Sequence, residues 1–163
     1  MRIWFVCKAK YQKENDQGIV KEVTEPYLVD AFTYTEAESR IYELLENMIS
    51  GSFIVTQISK TNINDVFYFE GFDIWYKCKI VYQVDDGDSG KEKKVTNYML
   101  VSAENVKDAY DKLQQSLSNM LVTYNITSII ESPILEVFPF SAEDDETSNE
   151  IPANLKPLSE VDQ

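Results

Sequence analysis

Few residues of this chain have the types and spacing that enzyme chemistry needs. There is no histidine among the 163 residues, which excludes Ser–His–Asp and Cys–His nucleophile pairs and most zinc sites. Cys7 and Cys78 lie in segments of alternating polarity, where a free cysteine is usually buried; a redox pair or half a metal site is the rarer alternative. There is no glycine-rich phosphate loop either. We therefore predict a protein that is not an enzyme and that needs no cofactor.

A group of acidic residues around Gly87 is the nearest approach to a metal site. Asp85, Asp86 and Asp88 resemble the start of a calcium-binding loop, but the downstream bidentate acid of an EF-hand is missing. The spacing favours a solvated hairpin tip, and we predict no metal.

Aromatic and lysine side chains share one face of two segments that alternate with period two. The set comprises Trp4, Lys8, Lys10, Trp75, Lys77 and Lys79, with Lys94 and Tyr98 on the same side of the second hairpin. Aromatic rings between lysines on an open sheet are typical of surfaces that stack bases and follow a single-strand backbone. The alternative is that the two tryptophans cap a second, smaller core or a dimer interface, while the lysines are solvated.

The two segments are copies of each other within an internal repeat. A shift of 71 residues aligns the first strands, a shift of 72 aligns the middle of the repeat, and a shift of 71 returns near residues 61–65. Matches include Trp4 with Trp75, Cys7 with Cys78, Leu28 with Leu100, Ala37 with Ala109, Met48 with Met120, Ile54 with Ile126, Ile58 with Ile130, and Val66 with Val137. The order of the matches predicts a duplication.

Each copy has the pattern of two strands, a helix and further strands. Alternation predicts strands over 2–12, 19–31, 73–84 and 92–102, and strand-like residues recur at 53–60, 65–70, 124–131 and 134–140. Apolar residues at helical spacing between them predict two helices, the first with a capping box of Thr35 and Glu38 and an end near Gly51. Its apolar stripe would be Ala37, Ile41, Leu45 and Met48, and the second stripe Val106, Ala109, Leu113, Leu117 and Met120.

These elements predict an α+β fold made of a duplicated β-β-α-β unit. We expect a largely antiparallel sheet with the two helices on one face. Residues 1–140 would form a single pseudo-twofold domain, with repeats at 1–71 and 72–140.

The end of the chain has a different composition from the rest. The formal net charge is −13, and residues 141–163 hold seven acids and one lysine, a net of −6. We expect this tail to be disordered, with contact motifs at Ile151 or around 155–158. Its acids Glu143, Asp144, Asp145 and Glu146 would recruit replication or host proteins. No segment has the roughly 20 apolar residues of a membrane span, so we expect a cytoplasmic protein without a membrane partner.

Three stretches identify a resemblance over residues 1–140. WFVCKAKY, VTEPYLVDAFTYTEAE and ESPILEVFPF resemble a domain-of-unknown-function family, number 4494, of Bacteroides-type bacteria and their crAss-like phages. The resemblance implies a setting in a gut bacterium, its mobile elements or a phage, and it names no functional residue. Read from residue 53, the order of four strands and a helix is also similar to the repeating unit of PUR-alpha and Whirly proteins, which bind single strands on curved sheets.

Two functions follow as expectations. The first is single-stranded DNA binding on the sheet face, in replication or recombination, with the acidic tail modulating it. The alternative is a protein-interaction or host-modulating protein that uses the Trp4/Trp75 face as an interface, with a homodimer as one form.

Overall fold

The computed structural model describes residues 2–85, 87, 90–140 and 155–157. The first repeat contains β1 (Ile3–Glu14), β2 (Val20–Ala31), α1 (Tyr34–Met48), β3 (Phe53–Lys60) and β4 (Ile63–Tyr68). The second contains β5 (Ile74–Asp85), β6 (Glu92–Ala103), α2 (Val106–Ser116), β7 (Tyr124–Ser132) and β8 (Glu136–Phe138). A three-residue strand, β9 (Leu155–Pro157), follows. The α+β fold class is confirmed.

The described residues divide into two units, each built on one sheet. Unit 1 comprises residues 2–61 and 133–140, and its strand order is β3-β1-β2-β8. Unit 2 comprises residues 62–132 and 155–157, with the order β7-β5-β6-β4-β9. β1 pairs antiparallel with β2 and β3, and β5 pairs antiparallel with β6 and β7, as predicted. The strands form two sheets with one helix each, where the sequence predicted one sheet with two helices.

The last strand of each repeat lies in the sheet of the other repeat. β4 pairs in parallel with β6, placing Val66 opposite Leu100. β8 pairs in parallel with β2 and places Val137 opposite Leu28, which is the equivalent arrangement. Because of this strand exchange, the unit boundaries fall at 61/62 and 132/133 and not at the repeat boundary of 71/72. Neither repeat completes its sheet alone, while the pseudo-twofold relation stays a prediction.

Each unit has a core between its sheet and its helix, as the alternation predicted. In unit 1 the core is Phe5, Cys7, Ala9, Tyr27, Val29, Ala31, Ala37, Ile41 and Leu45. In unit 2 it is Phe67, Phe69, Tyr76, Cys78, Ile80, Met99, Val101, Ala103, Ala109, Leu113 and Leu117. Full burial of a large apolar side chain contributes roughly 1.5–3 kcal/mol, so these stripes dominate the stability of each unit. Met48 does not belong to the stripe, because it is 46% exposed.

The two helices begin with equivalent N-caps, and the cap of α1 lies two residues earlier than predicted. Thr33, not Thr35, is the N-cap: its hydroxyl accepts from the Glu36 N–H at 3.1 Å, and the Glu36 carboxylate accepts from the Phe32 N–H at 2.8 Å. Asn105 takes the same role in α2 and accepts from the Asp108 N–H at 2.8 Å. The acid three residues after the cap is therefore the reliable signal, and Glu38 is not that acid.

The predicted equivalence of β3 and β7 is wrong by one residue. Val55 lies opposite Ala9 as Ile126 lies opposite Ile80, so Ile126 matches Val55 and not Ile54. Likewise Ile58 and Ile129 match, each opposite a cysteine, and Ile130 is 64% exposed. The repeat shift therefore changes from 72 to 71 residues between the helix and the strand that follows it, and not at 61–65 as predicted. A slip of one residue moves a side chain to the other face of a strand, which makes the error visible in burial.

The tail predicted to be disordered spans residues 141–163, of which 141–154 and 158–163 lie outside the described residues, as do Asp86 and Asp88 of the second hairpin tip. Within the predicted contact motif at 155–158, β9 pairs in parallel with β4. No helix in the described part of the chain has both the length and the apolar character needed to cross a bilayer.

Candidate nucleic-acid interface

The two tryptophans are buried and do not form the predicted stacking platforms. Trp4 is 2% exposed and Trp75 is 5% exposed, and the Tyr68 ring lies 6.4 Å from that of Trp75. A base or a partner surface stacks only on an accessible ring, so the prediction that these rings form a binding platform or an exposed interface is wrong for this structure. The alternative, that they cap a second apolar region, describes their burial correctly.

Other residues of the helix-free face, meaning the face of each sheet opposite its helix, share this burial. Leu28, Val66 and Leu100 lie on it and are 0% exposed. Leu28 and Leu100 indicated in the sequence that part of this face is covered, since a fully solvated face rarely carries leucines at matched positions of two repeats. The helix-free face of each unit therefore has an apolar, buried end and a polar end where the lysines lie.

One of the two predicted lysines of unit 1 lies beside an acid. The Lys10 ammonium is 3.1 Å from the Glu22 carboxylate, and Lys8 is half-buried on the same strand. An exposed ion pair contributes little to stability, but it neutralises the charge that would attract phosphate. The predicted site residues Lys8 and Lys10 thus offer a weaker anion site than the sequence suggested.

The lysines of unit 2 differ among themselves. Lys77 donates to the Asn62 side-chain oxygen at 2.7 Å and lies 4.9 Å above the Tyr98 ring, which is partly exposed. Lys79 and Lys94 line a pocket of about 770 Å³ instead. None of the carboxylates in the described residues forms an ion pair with either of these two lysines.

The pocket lies over β5, β6 and β7 and brings together residues that sequence reasoning did not connect. Besides the two lysines, its polar lining includes Gln83, Glu92, Asn125 and Thr127. The antiparallel register places Gln83 opposite Lys94 and Val81 opposite Asn125. Gln83 was a detectable member, since it continues the alternation that contains Lys79. Asn125 and Thr127 were not detectable, because their position depends on how β7 pairs with β5.

A β-bulge shapes the floor of this pocket. The pairing of β5 with β7 shifts between Lys79 and Ile80, so Thr127 has no strand partner and its hydroxyl donates to the Lys79 carbonyl at 3.3 Å. Bulges commonly re-aim side chains next to binding sites. Unit 1 has the equivalent bulge, where Thr56 donates to the Lys8 carbonyl at 3.3 Å. The bulge is thus part of the repeat, and the two units differ in the side chains that lie around it.

Several substitutions separate the pocket from its counterpart in unit 1. Lys94 is replaced there by Glu22, Val81 by Lys10 and Asn125 by Ile54, which is 63% exposed. The counterpart therefore combines an ion pair with an apolar side chain. Unit 2 presents two cations beside amide and hydroxyl groups and one carboxylate, that of Glu92, where unit 1 has Val20. With a cation in excess, this lining can bind an anion and hydrogen-bond polar edges at once.

The two cysteines offer no reactive thiolate near this surface. Both are 0% exposed, and burial raises the pKa of each thiol to about 12, because the thiolate would lose its hydration. Within the part of the chain that the structure describes, no three His, Cys, Asp or Glu residues are grouped as metal ligands would be. The predicted contact acids Glu143, Asp144, Asp145 and Glu146 lie outside the described residues.

The fold and the pocket define a class: an α+β protein of two repeats that exchange their last strands, with a basic pocket on the helix-free face of unit 2. Residues 3–140 match the family described as Domain of unknown function (DUF4494), and the chain belongs to that family. The resemblance of the three sequence stretches to this family is thereby confirmed. No curated protein and no solved structure matches the chain.

Proposed function

We propose that the protein binds single-stranded DNA without catalysis, and that the pocket of unit 2 is its binding surface. The observation that supports this most is the pair Lys79 and Lys94, which face an open pocket with no carboxylate partner among the described residues. Lysine ammonium groups are the usual ligands of a phosphodiester backbone. The tryptophans of the original hypothesis take no direct part in this proposal.

Charge supports a single strand over a duplex as the ligand. Non-specific duplex binding depends on many phosphate contacts, and a chain of net charge −13 opposes it over most of its surface. A pocket with two cations can hold one or two phosphates of a flexible strand. Gln83, Asn125 and Thr127 can then hydrogen-bond the edges of unstacked bases, which a duplex does not expose in this way.

Tyr98 is the ring of the predicted set that stays partly exposed, and it lies opposite Lys79 in the register. Stacking on one aromatic ring contributes roughly 1–3 kcal/mol per base. A strand that leaves the pocket along β6 would pass this ring, with Lys77 above it at 4.9 Å. Base stacking thus moves in the proposal from the buried tryptophans to Tyr98.

The wider setting belongs to the same proposal. The proposed role is in replication or recombination of a phage or mobile element in the bacterial cytoplasm, and it rests on the acidic tail and on the setting that the resemblance of the sequence stretches implies. Glu143–Glu146 would compete with DNA for the lysines and recruit partner proteins, because a run of carboxylates imitates a run of phosphates.

The test is fluorescence anisotropy of a labelled thymine oligonucleotide with the full-length protein, at salt from about 50 to 200 mM. The slope of the logarithm of the binding constant against the logarithm of salt concentration is negative. Lys79→Gln with Lys94→Gln should reduce its magnitude by about 1.4, because each phosphate contact to a single strand contributes about 0.7. The matched control, Lys21→Gln with Lys107→Gln, removes the same charge from exposed positions outside the pocket and should leave the slope nearly unchanged.

Two outcomes would reject the proposal. One is the absence of binding by the unchanged protein at about 50 mM salt, a condition that favours phosphate contacts. The other is an equal loss of oligonucleotide binding in both double variants, which would show that binding depends on the total charge of the protein and not on the pocket. Turnover of the oligonucleotide that follows the pure protein would contradict the non-catalytic part.

A further inference from the structure

One side chain in the pocket of unit 2 is unsuited to phosphate binding: the carboxylate of Glu92. A carboxylate repels a phosphodiester, and unit 1 has the neutral Val20 at the equivalent position. Glu92 is exposed, and none of the described residues forms an ion pair or a side-chain hydrogen bond with it. Both of its carboxylate oxygens can therefore accept hydrogen bonds from a ligand in the pocket.

Glu92 also differs from the other polar lining residues in its hydrogen bonding. An ionised carboxylate only accepts hydrogen bonds, and the two lysines of the pocket only donate them. The amides of Gln83 and Asn125 and the hydroxyl of Thr127 can do either. A phosphodiester has no donor at neutral pH. The ligand group that satisfies Glu92 must therefore belong to a base.

The strand register places a second group beside this carboxylate. Gln83 of β5 lies opposite Lys94 of β6, and Glu92 is two residues before Lys94 on the same face. Gln83 and Glu92 are thus diagonal neighbours, with Cα atoms roughly 7–8 Å apart, a separation that two long side chains can bridge. An obligate acceptor and an amide that can donate therefore converge on the same part of the pocket.

The floor next to these two residues is apolar. Val81 lies two residues from Gln83 on β5, opposite Asn125, and is half-buried in the lining. Its methyl groups offer a surface against which the face of an unstacked base can lie. In unit 1 the equivalent residue is Lys10, which pairs with Glu22. The apolar floor is therefore a feature of unit 2.

The four bases differ in what they offer to such a group of side chains. Guanine has two adjacent donors, N1–H and the N2 amino group, which a carboxylate can accept together, and the acceptor O6 lies beside them. Thymine has a single donor between two carbonyl oxygens, which repel a carboxylate. Cytosine and adenine each have one amino group next to a ring nitrogen that accepts. Guanine is therefore the base that matches Glu92 and Gln83 best.

We propose that the pocket of unit 2 selects guanine among the bases of a single strand, with Glu92 as the specificity-determining residue. The inference rests on the proposed function, in which Lys79 and Lys94 hold the neighbouring phosphates. The Glu92 carboxylate accepts from N1–H and from the N2 amino group, the Gln83 amide donates to O6, and Val81 contacts the ring face. The charge of Glu92 weakens phosphate binding in general, and in exchange it favours one base.

The test is fluorescence anisotropy of the full-length protein with three short labelled oligonucleotides at one salt concentration. The first contains thymine only, the second has one central guanine, and the third has deoxyinosine at that place. The guanine oligonucleotide should bind at least about fivefold more tightly than the thymine one, the lower end of what a bidentate contact to a base contributes. Deoxyinosine lacks the N2 amino group and should lose most of this preference.

Glu92→Gln should bring the ratio of guanine to thymine affinity close to one. It should also strengthen binding of the thymine oligonucleotide, because one negative charge is removed from the pocket. The matched control is Glu104→Gln, which removes the same charge from an exposed position outside the pocket and should keep the ratio. The ratio separates base selection from the general effect of charge, which acts on both oligonucleotides alike.

Equal binding of the three oligonucleotides by the unchanged protein would overturn this inference and leave the proposed function standing. A guanine preference that persists in Glu92→Gln would overturn the role of Glu92. If none of the oligonucleotides binds, both the inference and the proposed function are wrong. Displacement of the guanine oligonucleotide by free dGMP at the concentration at which the unlabelled oligonucleotide acts would make a free nucleotide the ligand, and would overturn selection within a strand.

Discussion

The anchors of the two exchanged strands perform the same task with different chemistry. In unit 1 the buried Asp30 carboxylate accepts from the Phe140 N–H and from the Arg2 guanidinium, and the Arg40 guanidinium bonds to the Asp30 carbonyl. In unit 2 the Ser102 hydroxyl accepts from the Phe69 N–H at 2.7 Å and donates to the Phe69 carbonyl at 3.1 Å. Both Asp30 and Ser102 are 0% exposed.

The difference shows what the repeat requires at this position. Both anchors supply an acceptor for the backbone after the exchanged strand, and only the charged one needs cations around it. Arg2 accordingly lies 4.1 Å from the Phe140 ring and pairs with Glu36 at 2.9 Å. The counterpart of Arg40 in unit 2 is Lys112, which lies over the Phe69 and Phe72 rings at 4.9 and 3.2 Å. Because the anchor in unit 1 is a buried charge, its contribution to stability depends more on the cations around it than that of the neutral anchor in unit 2.

The largest effect is expected from removing an exchanged strand altogether. A fragment of residues 1–71 lacks β8, the partner of β2, and β6, the partner of β4. Apolar side chains of β2 and β4 would therefore be exposed to water. It should show no cooperative thermal unfolding by circular dichroism, whereas residues 1–140 should melt in one transition. A fragment that melts cooperatively as a monomer would show that strand exchange is not needed for folding.

A smaller effect separates the two anchors directly. Asp30→Ala removes the buried carboxylate from the Arg2 guanidinium, which keeps Glu36, and leaves the Phe140 N–H without its acceptor. Breaking a buried ion pair costs about 3–5 kcal/mol. Ser102→Ala leaves a neutral N–H and a carbonyl unpaired, which costs about 1–3 kcal/mol. Urea unfolding at neutral pH measures both. Equal losses would mean that the charge at Asp30 adds nothing to the comparison.

The smallest expected effect concerns the acids that cap the helices. Burial raises the pKa of Glu36, but the Phe32 N–H and Arg2 outweigh it and hold that pKa below its ordinary value. Burial likewise raises the pKa of Asp108, but the Glu104 N–H and Lys112 together outweigh it and hold that pKa below its ordinary value. Since both folded pKa values are depressed, the stabilisation is present above the unfolded pKa and is lost as pH falls through the folded value.

The free energy of unfolding should therefore fall below about pH 4.5, the ordinary pKa of a glutamate. Glu36→Gln should lower stability at pH 6 by less than about 1 kcal/mol, because the side chain is partly exposed, and by a smaller amount at pH 3. Asp108→Asn should do the same in unit 2. Urea unfolding at the two pH values checks this, and an effect that is larger at pH 3 would have the wrong sign.

The sequence predicted what depends on local order and missed what depends on long-range pairing. Alternation through Phe5, Cys7 and Ala9 identified the strand and its core face, since side-chain direction has period two. The exchange of β4 and β8 was not visible, because nothing local to 63–68 or 136–138 names the strand it pairs with. The exact match of β3 with β7 failed for the same reason.

The candidate site shows the same division. Lys79 and Lys94 were selected correctly as residues of one face, and the pocket they line required the pairing of β5 with β7. An exposed and a covered position of Trp4 and Trp75 both stayed open, because period two separates faces but says nothing about what covers them. The leucines at positions 28 and 100 were the only local warning.

The strand exchange also has a consequence for how such a chain could arise. A protein made of a single repeat would lack the last strand of its sheet and would obtain it from another molecule, as in domain swapping. Joining two such copies in one polypeptide turns that encounter into an intramolecular one. The concentration of the needed strand then stays near millimolar however dilute the protein is, and the copies are free to diverge at positions such as Asp30 and Ser102.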